Sequence, residues 1–268
     1  MKTNAFDTRR FWQTLKWTVL TEKKSILTAF AAFLVAFLAI QLFSCFTIFD
    51  LTQELGSEAT IAGMAVCLAV FSFMHSYYAS GLLGNARTSR QRATALMLPA
   101  SNLERYSVRF IYCCLIMPLL LLVAFFGATA LRVLFELLAG HGDIHWGFGL
   151  MKYHFGSNFD SWMSYAFIIW SLSLYVLGGV FFRARPFVWT SITIFAGSLL
   201  LTTLMFYIGT LIGEDNIKSF LMRFRDLTFE AFDLIVSLVL LAFTVFNVWL
   251  SYWLYSRLQV VQHKWFNL

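Results

Sequence analysis

Residues 110–131 read FIYCCLIMPLLLLVAFFGATAL, without one Asp, Glu, Lys or Arg. As an α-helix this stretch rises about 33 Å at 1.5 Å per residue, and the hydrocarbon core of a bilayer is about 30 Å thick. Backbone N–H and C=O groups in hydrocarbon find no water, so they must be satisfied inside a helix or a closed barrel. The run is too long for a barrel strand of about 10 residues. It predicts a helix that crosses a membrane.

Working outward, five more stretches pass the same test, and the six predicted spans lie at about 25–49, 60–84, 110–132, 161–182, 186–213 and 234–256. Composition agrees: 59% of residues are hydrophobic and 13% charged, where a soluble domain carries about a quarter charged. The expected fold is all-α, a polytopic membrane protein with six transmembrane helices in a single transmembrane domain over 1–268. Segment 9–20 sets Phe11, Trp12, Leu15, Val19 and Leu20 near one helical face, with Arg9, Gln13 and Lys16 mostly off it. That pattern predicts an N-terminal helix lying in the membrane interface. The first apolar run follows 24 polar or mixed residues and is too long for a signal-peptide core, so the first helix is expected to be retained. Cys45, Cys67, Cys113 and Cys114 all fall inside apolar runs, which reads as helix packing rather than a disulfide or zinc framework.

Lys and Arg set the orientation. Alternate segments carry fifteen against five of them, the larger share in the N-terminal segment, the second and fourth connections and the C-terminal tail. The positive-inside tendency places both termini in the cytoplasm of a multi-pass membrane protein, and it accounts for the net charge of +6 without nucleic acid. Pro118 lies within the third span, where a kink is expected.

Signals for catalysis are absent. There is no G-x-x-x-x-G-K-[ST] phosphate loop, no H-E-x-x-H and no G-x-S-x-G. No catalytic residue, cofactor or metal is assigned. His141, Asp143, His145 and His154 cluster in the third connection, but the glycines among them argue against a helix that could align ligands. At membrane depth the polar candidates are His75, Asp233 and Asn247. Their sharp reading is a proton relay for His75 or Asp233. Their bland reading is interhelical hydrogen bonding for His75 and Asn247, with Asp233, Arg132, Glu136 and Glu230 at the membrane interface. Ala32/Ala36, Ala59/Gly63 and Ser80/Gly84 have small-xxx-small spacing, a weak sign of close helix contact.

The second connection carries more order than topology needs. It is basic, and residues 96–105 read LMLPASNLER. Ser101 followed by Glu104 makes a capping box at a helix start. An apolar triplet just before a capped helix is what a partner's groove would grip.

This run, Leu96-Met97-Leu98-Pro99-Ala100-Ser101-Asn102-Leu103-Glu104-Arg105, resembles the stretch that follows the second transmembrane helix in type-2 ABC exporter permeases. The motif covers about ten residues, and the six-span architecture with an interfacial N-terminal helix matches across most of the chain. The resemblance implies a small bacterial six-helix permease in the cell inner membrane, paired as a homodimer or with a similar permease. It implies a separate ATP-binding subunit that does the hydrolysis, so this chain would not itself be an enzyme. Residue by residue, it implies that Leu96, Leu98, Pro99, Ala100, Ser101, Glu104 and Arg105 couple to that ATPase. The wealth of Phe and aliphatic side chains adds the expectation of an amphipathic or lipid-like substrate. The competing reading is a non-transporting scaffold or sensor that docks a cytoplasmic partner through the same connection.

Overall fold

A computed structural model describes residues 6–46, 53–83, 100–138, 162–182, 184–212 and 229–257. It is helical: α1 (Thr8–Phe46), α2 (Gln53–Ala79), α3 (Asn102–Ile111), a π turn (Tyr112–Ile116), α4 (Met117–Leu138), α5 (Trp162–Phe181), α6 (Pro186–Ile212) and α7 (Phe229–Ser256). Six helical stretches are long and apolar enough to cross a membrane, α3 to α4 counting as one through the π turn. The protein is an all-α polytopic membrane protein.

The helices outrun the apolar stretches. Segment 9–20 is helical, as expected, but it is not a separate element. It forms the first turns of α1, which continues unbroken for 39 residues. Phe11 and Thr18 turn inward there, while Trp12, Trp17 and Leu20 stay exposed, the side chains a membrane interface would take up. The third span likewise begins eight residues before its apolar run, at Asn102.

Packing divides the chain into two compact units, one holding α1 to α4 and the other α5 to α7. In the first, α1 packs on both α2 and α4. Phe37, Met64, Cys67, Ala124, Phe125 and Ala128 form its buried core, with the Phe37 and Phe125 rings edge-on at 5.8 Å. In the second, α5 packs on both α7 and α6. Each unit therefore has its first helix in the middle and its other two spans laid against it.

The α5–α6 crossing is close because Gly178 lacks a Cβ. One added there would collide with the Thr190 side chain. Beside it the Tyr175 and Phe187 rings stack at 5.6 Å. The reversal between these helices is short, and Arg185 takes a left-handed φ of 46° just before Pro186 opens α6.

Candidate functional site

The order foreseen around Ser101 is present, and it extends further than the local sequence indicates. Ser101 is extended at the start of α3, and its Oγ accepts from the Glu104 amide at 3.3 Å. Glu104 Oε2 accepts from the Ser101 amide at 2.8 Å, which completes the capping box. The other carboxylate oxygen, Oε1, leaves the helix. It accepts from the Asp7 amide at 2.8 Å and from Arg10 Nη2 at 3.2 Å. Asp7 in turn stands at the head of α1, where its Oδ1 accepts from the Arg9 amide at 2.9 Å. One carboxylate thus serves the N-termini of α1 and α3, the ends at which helix dipoles favour negative charge. Every partner of the Glu104 carboxylate is a donor, so the arrangement suits the ionised, acceptor-only form.

A second tie lies just beyond. Arg109 Nη1 donates to Glu22 Oε1 at 2.9 Å, and the guanidinium sits 5.8 Å from the centre of the Tyr112 ring. The first half of α1 is therefore fastened to α3 at two levels by charge-assisted bonds. Sequence reading did not single out Asp7, Arg10 or Glu22. A signal did exist for Glu22, the only acid between Asp7 and Asp50 in a strongly basic segment.

Of the residues expected to meet a partner, Leu96, Leu98 and Pro99 lie outside the described residues. Ala100, Ser101 and Arg105 are half-buried at the start of α3. Glu104 is different: it is fully buried and engaged with donors of its own chain. It stands behind Ala100, Ser101 and Arg105 and fixes the start of α3.

The polar groups at membrane depth are brought into pairs. Asn247 Nδ2 donates to Ser173 Oγ at 2.9 Å, joining α7 to α5. Asp233 is buried. Its two oxygens accept from the amides of Trp162 and Met163, each at 3.1 Å, so α7 caps the N-terminus of α5. These two bonds give Asp233 a structural role as a cap. His75 faces the Cys114 carbonyl and lies edge-on to Phe71 at 6.0 Å. Arg132 is buried, 3.3 Å from Glu136, on the same helix as Thr129, which accepts from Gln41 Nε2 at 3.2 Å. A guanidinium this deep needs such a partner, because charge in a low-dielectric interior is costly.

Among the described residues no three His, Cys, Asp or Glu side chains converge as a metal site. His141, Asp143, His145 and His154, with the third and fifth connections, lie outside the described residues. No protein family, curated protein or solved structure matches the chain.

Proposed function

We propose that this chain is the membrane subunit of an ATP-driven exporter, with ATP hydrolysis on a separate subunit. Its setting is the bacterial inner membrane, with both termini in the cytoplasm, where the excess of Lys and Arg favours them. Two copies, or this chain and a similar one, would enclose the path of an amphipathic or lipid-like substrate.

The observation that carries the reading is the Ser101–Glu104 box directly after the apolar stretch Leu96–Ala100, with its carboxylate continuing to Asp7 and Arg10. A loop that served topology alone would need only positive charge. Here the residues after the apolar stretch are locked into a helix start, and that start is locked to α1. A push on Leu96, Leu98 and Pro99 would reach α3 through the peptide chain and α1 through Glu104. On this reading Ala100, Ser101 and Arg105 border the docking surface, and Glu104 acts as a positioning residue behind it.

A photo-crosslinking side chain at Leu98, in the native membrane, tests the proposal. A crosslink to a protein with a phosphate-loop ATPase sequence is expected. A crosslink only to proteins of another kind, or none, would favour the scaffold or sensor reading.

A further inference from the structure

The third span is regular α-helix except at one place. At Tyr112–Ile116 it widens into a π turn, with the Met117 amide reaching back to the Tyr112 carbonyl five residues away. Pro118 follows at once and supplies the physical reason. A proline has no N–H, and its ring presses on the carbonyl four residues back, here Cys114. Widening the turn relieves the pressure, but the Cys114 carbonyl still lacks the amide it would have had in a regular helix.

Cys114 itself is half-buried, but Tyr112, Cys113, Met117 and Pro118 around it are buried and the turn lies at membrane depth, so a lone carbonyl there would be expensive. The remedy comes from α2. His75 is directed at the Cys114 carbonyl, and one turn further along α2 Tyr78 packs against Tyr112, Cys113 and Met117. On either side of the π turn the span is held to α1. Below it the ties are Glu104 with Asp7 and Arg109 with Glu22. Above it they are Gln41 with Thr129 and the packing of Phe37 on Phe125. Two anchored helical pieces therefore meet at one weakened point, and a side chain of a third helix bridges it. π turns inside α-helices are frequent at functional sites, and helices kink at them.

We propose that the Tyr112–Ile116 turn is a hinge created by Pro118, and that His75 is the latch which holds it by satisfying the Cys114 carbonyl. The latch needs a neutral donor at membrane depth and no proton transfer. Because α2 leads into the second connection, movement of α2 would load or release the latch directly. The inference rests on unit-internal geometry and stands whether or not the partner is an ATPase.

The test is a cycle of variants of the full chain in nanodiscs, read by thermal unfolding and by amide exchange of 112–120. His75→Ala should lower the unfolding midpoint by on the order of 5 °C and speed exchange in 112–120 about tenfold, with little change in 122–130. Pro118→Ala restores an amide for Cys114. In that background His75→Ala should lose more than half of its effect on both readouts. His75→Gln, whose amide can still donate, should keep most of the wild-type protection. If removing His75 is as damaging in the Pro118→Ala background as in the wild type, or if faster exchange is not confined to the hinge, His75 is a packing residue and the proposal is wrong. Should His75→Ala fail to fold, comparing His75→Gln with His75→Met decides the same point. Equal exchange in those two would overturn the latch.

Discussion

The Glu104 carboxylate and the Asp7 backbone amide meet at 2.8 Å although 97 residues of chain separate them. Glu104 is buried, so this bond is sheltered from water, and Arg10 adds a charged donor on the same oxygen. Removing the carboxylate takes the acceptor from the Asp7 and Ser101 amides together, and one of its partners from the Arg10 guanidinium, which keeps Asp7 at 3.5 Å. Glu104→Ala should therefore destabilise the chain by about 2–3 kcal/mol, near the lower end for breaking a buried charged pair because Arg10 can reach solvent. Glu104→Gln keeps one acceptor and should recover less than half of that loss. Trypsin should also cut faster at Lys16, Lys23 and Lys24 in Glu104→Ala, because the head of α1 comes loose. Unchanged digestion would show that the α1–α3 tie is not maintained by this residue.

Asp233 caps a helix that it does not belong to. Both of its oxygens lie 3.1 Å from amides in the first turn of α5. Loss of a capping side chain costs about 1 kcal/mol in typical cases. Asp233→Ala should raise amide exchange at 162–165 roughly tenfold, with a smaller rise in Asp233→Asn, which keeps an acceptor. A proton-relay residue would behave differently, since Asn would then be as damaging as Ala to any proton-linked activity.

The Asn247–Ser173 bond tests how much a buried polar pair contributes between membrane helices. Measured couplings of this kind average about 0.6 kcal/mol and reach about 1.7. A double-mutant cycle of Asn247→Leu and Ser173→Ala should give a coupling within that range. A value near zero would mean that the 2.9 Å contact contributes nothing beyond packing.

Gly178 makes a steric prediction. A Cβ there overlaps Thr190, whose β-branched side chain is also held by its hydroxyl bond to the Pro186 carbonyl at 2.7 Å. Gly178→Ala should cost about 1–3 kcal/mol through strain at the α5–α6 crossing. Thr190→Ala should rescue it only in part, because the Thr190 Cβ itself would stand 2.8 Å from the added atom. Thr190→Gly should rescue it more fully. Equal stability of Gly178→Ala and the wild type would contradict the close crossing.

The spans were legible because hydrocarbon excludes charge, and a run without Asp, Glu, Lys or Arg is visible in one dimension. Their ends were less so. Hydropathy marks where the membrane stops, while the helical hydrogen-bond ladder continues into water, as α1 does back to Thr8 and the third span to Asn102. The Ser101–Glu104 box was legible because both members lie within one turn. The other half of Glu104's role was not, since nothing local points to Asp7. Arg132 shows the same limit. Its nearness to a helix end speaks to its depth along the helix, whereas which way a helix face turns is decided by packing against its neighbours, and this face turns inward. Pro118 predicted a disturbance, but a π turn bridged by His75 could be recognised only once α2 lay beside it.

The central claim is best tested by isolating the chain in mild detergent from its native membrane and identifying what comes with it by mass spectrometry. The exporter reading predicts a stoichiometric phosphate-loop ATPase that is lost when Leu98 and Pro99 are both changed to Ala, with the chain itself still inserted. Recovery of the chain without any ATPase, or with one that remains bound to the doubly changed chain, would contradict it.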